Sequence, residues 1–339
     1  MMNEAIAGIR FPVLIGDIGG TNARFALISE PNAEWERFPD VHTSHYPTVE
    51  AGIEAAVLAH TGLKPRTAIL ALAGPIAGNQ IRLTNCDWIF EPHRLNARFG
   101  LSSVVLLNDF EALSLCLPDL GPDDIDPIGD GKAAPERPRV VVGPGTGLGA
   151  GALIHARGAW IPVPGEGGHI DLGPITDHDY ALWPHFEKSL GRFSAETLLC
   201  GPGLMRVYRG IGSFDGRPTP LRTPAAVTAA GLSGEDPVAV AALEFFATHL
   251  GRLAGNLALV FVATGGVYLA GGISAKIAPA LKSGAFREAF VAKEPHRHLL
   301  EGVMTAIIGK EDPALAGIAA FAADPARFGV ALDGRMWQA

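Results

Sequence analysis

The longest apolar stretch of the chain, Val238 to Ala263, is interrupted by Glu244, His249, Arg252 and Asn256. Those groups are costly inside a bilayer, so the stretch reads as a buried amphipathic helix and not as a membrane span. Asp236 suits the cap of that helix and Pro237 its first turn, while Gly265-Gly266 is predicted to end it. Val267 to Ala270 then reads as a strand, Gly271-Gly272 as a turn, and Ser274 to Leu281 as a helix. The same order recurs at Val104 to Leu107, followed by Asn108, Asp109 and the apolar-periodic stretch Phe110 to Leu117. Strand followed by helix, repeated, predicts an α/β architecture.

Two further segments pair strand with strand. Pro12 to Ile15 leads into Gly16-Asp17-Ile18-Gly19-Gly20-Thr21-Asn22 and on to Arg24 to Ile28. Arg139 to Val142 leads into Gly143-Pro144-Gly145-Thr146-Gly147 and on to Leu148 to Ile154. Each reads as a hairpin with a Gly-Thr turn, one in each half of the chain. With 339 residues, about two domains are expected at roughly 150 residues each. The Asp119 to Pro138 stretch, rich in Asp, Pro and Gly, reads as the crossover. It divides residues 1–120 from residues 121–310, and a helix near Pro313 to Ala323, within 311–339, is expected to rejoin the first domain.

Composition narrows the function. The 42 Gly and 26 Pro exceed the usual share of roughly 12% while apolar segments run throughout, which implies many tight turns and not disorder. A net charge of −8, from 27 basic against 35 acidic side chains, argues against a broad nucleic-acid-binding surface. An anionic ligand would have to be held by local groups. Cys86, Cys116 and Cys200 are odd in number and far apart, so neither a disulfide framework nor a clustered zinc site is expected. Asp17 and Asn22 interrupt the early apolar segment, so no secretion signal is expected and a reducing, cytoplasmic location fits.

Glycines and threonines in a turn expose backbone N–H groups, and such a concave array suits phosphate oxygens. Neither loop has the Gly-Lys-Ser/Thr ending of a Walker A sequence or the context of a dinucleotide fingerprint, and either alone could be an ordinary hairpin turn. Asp17 in the first loop supplies the carboxylate that a Mg²⁺ ion beside polyphosphate requires, directly or through water. Asp109 follows a buried strand, where open α/β sheets place ligands; it is both a candidate base and a candidate helix cap. In Pro164-Gly165-Glu166-Gly167-Gly168-His169 a carboxylate and an imidazole stand three residues apart, suited to a polyhydroxylated ligand or simply to solvent. Glu196, after Ser194, is equally readable as a first-turn complement to a helix dipole.

The ordered segments Gly16 to Arg24, Leu107-Asn108-Asp109-Phe110-Glu111-Ala112, Gly145 to Gly149, Pro164 to His169, Ser194-Ala195-Glu196, Gly201-Pro202-Gly203-Leu204 and Leu269 to Ile273 closely resemble the motifs of the bacterial glucokinase family. The resemblance runs from about residue 12 to about residue 320 and implies a ribonuclease-H-like, actin-like ATPase fold of two α/β domains with an interdomain cleft. It implies ATP and Mg²⁺ at Asp17 to Asn22 and Gly145 to Gly147, with Gly271-Gly272 beside the nucleotide. It also implies glucose at Asn108, Asp109, Glu166, His169, Glu196 and Asn85, with Asp109 as general base at the sugar 6-hydroxyl. A homodimer is the family habit. Two departures stand out. Ile170-Asp171-Leu172-Gly173-Pro174 follows His169 in place of the zinc-binding cysteines of the related repressor/ORF/kinase family, which implies the branch without structural zinc. Pro313-Ala314-Leu315-Ala316-Gly317 carries Ala where the family's glycine-rich helix start usually has Gly. Kinases for other hexoses remain open, as does a sugar-sensing regulator. About ten residues precede the first loop, fewer than a DNA-binding helix pair needs.

Overall fold

The alternating segments assemble on two mixed sheets. In the computed structural model, which describes residues 9–74, 76–83 and 86–339, the chain divides into two compact units. One comprises the described residues up to Leu120 with Leu153–Pro164 and Glu311–Ala339; the other comprises Gly121–Ala152 and Gly165–Lys310. The linear reading puts 153–164 in the second domain, but this outer part of a strand pair groups with the first unit.

The first unit is built on a seven-stranded sheet ordered Met336–Gln338, Ser103–Asn108, Thr67–Leu72, Val13–Ile18, Asn22–Ile28 and Glu36–Arg37, with Val41–His42 also pairing Asn22–Ile28. Thr67–Leu72 lies parallel to both Val13–Ile18 and Ser103–Asn108 and is buried at every position. That is the continuous apolar run expected of a parallel strand covered on both faces. Val13–Ile18 and Asn22–Ile28 form the first predicted hairpin, with Asp17 opposite Arg24. Leu14, Ile18, Phe25, Leu70, Leu106 and Trp88 share the core, where the Trp88 indole donates to the Tyr46 carbonyl at 2.8 Å.

The helix Asp109–Ser114 packs against the C-terminal helix Pro313–Ala323, which belongs to the same unit. Their backbones meet at Gly317, where an added Cβ would stand 2.0 Å from the Ala112 carbonyl oxygen and 2.9 Å from the Cys116 nitrogen. Only hydrogen fits there.

A second sheet, most of whose strands belong to the second unit, runs Ala159–Gly165, Leu148–Ala156, Arg139–Pro144, Val267–Leu269, Thr305–Ile308 and Ile125–Pro127. The long helix spans Pro237–Phe261, and Asp236 caps it by accepting from Val238 and Ala239 N–H at 2.8 and 3.2 Å. Of its most apolar window, 72% is buried inside the protein, so this is a core helix. It stops before the predicted glycine pair. Val262 takes a left-handed conformation at φ 47°, and Ala263 N–H returns to Ala258 carbonyl at 2.9 Å. A left-handed L-residue costs about 1–2 kcal/mol, and the Ala263 return bond satisfies a terminal helix carbonyl there. Beneath the helix, Asp179 accepts from Ile175 and Thr176 N–H and from Arg252, tying the 175–182 segment to the core.

Gly317→Ala tests the backbone contact behind the Asp109 helix. Alanine normally stabilises an exposed helix interior by about 0.5–1 kcal/mol. Here overpacking should win, with a loss of about 1–3 kcal/mol of unfolding free energy in denaturant titrations. A gain in stability would contradict the contact.

Candidate active site

The first Gly-Thr loop is pinned by its carbonyls. Thr43 Oγ1 donates to the Gly20 and Thr21 carbonyls at 2.9 and 3.1 Å, and Gly19 N–H donates to Asn22 carbonyl at 2.9 Å. Beside the loop, Arg24 donates to Asp17 at 3.1 Å and lies 3.4 Å from Asp312 and 3.7 Å from Asp40. Arg37 contacts Asp312 at 2.5 Å and Asp40 at 2.6 Å. Two guanidiniums thus hold three carboxylates in the first unit. Burial pushes the Asp17 carboxyl above the ordinary carboxylate range, and Arg24 opposes the shift. Among the described residues no group of three His, Cys, Asp or Glu side chains could hold a metal by itself. Mg²⁺ retains several waters and commonly takes one or two carboxylates plus substrate phosphates, a demand that a single Asp17 fits.

Asn108 closes the strand Ser103–Asn108 and caps the next helix. Its Oδ1 accepts from Phe110 and Glu111 N–H at 3.0 and 3.1 Å, and Glu111 Oε2 accepts from Asn108 N–H at 3.2 Å. This reciprocal capping box gives the cap role to Asn108. Asp109, half-buried, occupies the first helical position, with Oδ1 accepting from Phe110 N–H at 2.9 Å. The Asn108 side chain also donates to the Gly74 carbonyl at 3.2 Å, fixing its orientation.

In the second unit Glu196 and the Glu166 loop converge on the peptide of Leu148. Glu196 stands in the short helix Ala195–Leu198, capped by Ser194, and its Oε2 accepts from Leu148 N–H at 2.8 Å. Glu196 therefore does more than complement a helix dipole: it ties that helix to the second Gly-Thr loop. A Cβ on Gly147 would stand 2.5 Å from the same oxygen, and one on Gly168 would stand 1.8 Å from the Leu148 carbonyl oxygen. The Glu166 loop consequently lies directly on Leu148. Glu166 precedes a 3₁₀ turn and His169 is its last residue, with Oε2 and Nε2 3.8 Å apart and both side chains exposed. Arg192 donates to the His169 carbonyl at 3.0 Å and pairs with Asp171, bracing the loop from behind.

Next to this group is a cavity of about 380 Å³ lined by Gly145, Thr146, Pro202, Gly272, Ile273 and Lys276, together with residues of the 201–204 and 224–228 segments. The predicted Ser274 helix begins earlier, at Gly271, and runs to Lys276, so both glycines open the helix itself. Lys276 is the charged side chain of the lining. It, Pro224, Ala225 and Thr228 were not marked by the sequence, since their helices carry no distinctive polar pattern. The 313–317 segment does not line this cavity. Asn85 lies outside the described residues.

Solved structures bear out the two-sheet α/β, actin-like ATPase fold that the resemblance implies. A glucokinase from an Antarctic psychrotroph superposes with a TM-score of 0.81 at 31% identity, covering 92% of this chain and 98% of that one. A ROK family glucokinase from Streptomyces griseus, in complex with glucose and AMPPNP, shares the fold with a TM-score of 0.61 at 23% identity, covering 91% and 97%. The Glucokinase family model matches residues 14–325. A glucokinase of Mesorhizobium japonicum is 50% identical over 338 residues, spanning 100% of this chain and 99% of the relative. The chain belongs to the glucokinase family.

Gly147→Ala tests the link between Glu196 and the loop. The displaced atom is the end of a flexible side chain, so the fold should persist by circular dichroism. Glucose kinase efficiency should fall by about tenfold or more as the Leu148 N–H loses a charged acceptor. Unchanged kinetics would detach Glu196 and Leu148 from the site.

Proposed function

We propose that the chain transfers the γ-phosphoryl group of Mg-ATP to the 6-hydroxyl of D-glucose, giving glucose 6-phosphate for glycolysis, with Asp109 as general base. ATP-dependent phosphorylation of glucose follows from membership of the family, over a full-length match at 50% identity. The observation that carries the finer reading is the Asn108–Asp109 turn, in which a capping box fixes a half-buried carboxylate at the end of a sheet strand.

Phosphoryl transfer asks a protein chiefly for alignment and charge stabilisation. In this reading the bond from the sugar O6 to the γ-phosphorus forms as the bond to the β,γ-bridging oxygen breaks, and Asp109 accepts the hydroxyl proton. Asn108, held by the Gly74 carbonyl, orients the sugar with Asp109, and Glu166, His169 and Glu196 are the further residues assigned to sugar binding. Backbone N–H groups of residues 16–22 and 145–147 take phosphate oxygens, and Gly271-Gly272 lies beside the nucleotide. The largely apolar cavity next to Thr146 suits adenosine, with Lys276 available to a phosphate or ribose oxygen. Asp17 would hold Mg²⁺, which screens the phosphate charge, either directly or through a bound water. We place the enzyme in the cytoplasm and read it as a homodimer.

Asp109→Ala should lower kcat by about 10²–10⁴-fold while calorimetry still detects glucose binding. Glu166→Gln should raise the glucose KM by about tenfold, as expected for the loss of a charged hydrogen bond. Across a panel of hexoses, kcat/KM should be highest for glucose. A higher value for mannose, fructose or an N-acetylated amino sugar would reassign the substrate.

A further inference from the structure

Glu111 is almost wholly buried, at 1% exposure, yet it carries more than a capping box requires. Its Oε2 accepts from Asn108 N–H at 3.2 Å and also from Arg335 Nη1 at 2.5 Å. Its Oε1 is buried with no hydrogen-bond partner. A neutral Gln would serve the box equally well. A buried carboxylate with one oxygen unpaired is tolerated only beside a compensating charge, and Arg335 supplies it from a long way off in sequence.

The delivery of Arg335 is built into the sheet. Met336–Gln338 pairs antiparallel with Ser103–Val105, on the strand that ends at Asn108. Leu106 N–H donates to the Arg335 carbonyl at 3.0 Å, continuing that pairing toward the site. The guanidinium, 16% exposed, is held from its other side by the Ala331 carbonyl, to which Nε donates at 2.7 Å and Nη2 donates as well. The neighbouring Trp337 is anchored in turn: its carbonyl accepts from Asn96 at 3.0 Å and its indole donates to Asn79 at 3.3 Å. A rigid C-terminal edge strand thus presses one guanidinium onto one carboxylate. That carboxylate fixes the Asn108 N–H, and Asn108 fixes the backbone on either side of Asp109.

We infer that Arg335 is a positioning residue for phosphoryl transfer: acting through Glu111, it sets the backbone that aims Asp109, without itself touching sugar or nucleotide. The inference rests on the assignment of Asp109 as base. A residue that served folding alone would lower the melting temperature and leave turnover per folded molecule intact. A positioning residue changes turnover in protein that is fully folded.

The test measures kcat, both KM values and thermal melting of the full-length enzyme for Arg335→Met, Arg335→Lys, Asp109→Asn and the Arg335→Met/Asp109→Asn pair. For Arg335→Met, kcat should fall by about ten- to a hundredfold, with the KM for ATP within about twofold of the parent. Arg335→Lys keeps the charge but not the fork that reaches both Glu111 and Ala331, so it should lose roughly threefold in kcat and rescue most of the defect. In the Asp109→Asn background, Arg335→Met should lower the residual rate no further, because its effect runs through the missing carboxylate. Parental turnover in folded Arg335→Met overturns the inference, and so does a full additional loss in the Asp109→Asn background. Should Arg335→Met not fold, Arg335→Lys decides: parental kcat overturns the inference and a loss with unchanged melting supports it. Near-parental turnover in Asp109→Asn would instead overturn the assignment of the base and the inference with it.

Discussion

The hydrogen bond from Leu148 N–H to Glu196, 2.8 Å long, is the interaction on which the second unit's loops depend. It fixes the residue immediately after the Gly-Thr turn to a helix 48 positions away in sequence. On the opposite side of the same residue, the carbonyl leaves no space for any side chain at Gly168. One residue therefore ties together three segments: the second Gly-Thr loop, the Glu196 helix and the Glu166 loop. Substitutions at its neighbours act on all three together, since protein interiors transmit displacement instead of absorbing it.

Electrostatics follow the same local logic. The chain carries a net charge of −8, which is unfavourable for a nucleotide approaching from a distance. Close to the first loop, however, Arg24 and Arg37 are shared among Asp17, Asp40 and Asp312. The acidic side chains there are engaged with nearby cations. Backbone amides in glycine turns add partial positive charge without any formal one. An acidic chain can thus serve a polyanionic substrate.

Much of this was legible in the sequence, and the exceptions share a cause. The two hairpins, the Asp236 cap and the strand leading to Asn108-Asp109 follow from residue types whose preferences are local. Asp109 as helix cap was wrong by one position, because Asn108 caps equally well and Glu111 completes a reciprocal pair with it. The long helix ends at Phe261, short of Gly265-Gly266, with Val262 in the left-handed cap position that glycine usually fills. The Gly271-Gly272 pair looked like a turn and instead opens a helix. The ties from Glu196 to Leu148 and from Arg335 to Glu111 were invisible, since a long-range hydrogen bond imposes no period or spacing on the chain. The grouping of 153–164 with the first unit likewise depends on tertiary packing.

A crystal structure of the enzyme with glucose and a non-hydrolysable ATP analogue tests most directly the proposal that Asp109 faces the hydroxyl to be phosphorylated. The glucose O6 is expected at hydrogen-bond distance, about 2.6–3.2 Å, from an Asp109 carboxylate oxygen, with the γ-phosphoryl group approaching O6 from the other side. A sugar bound with a different hydroxyl against Asp109, or with O6 directed away from the γ-phosphoryl group, would contradict it.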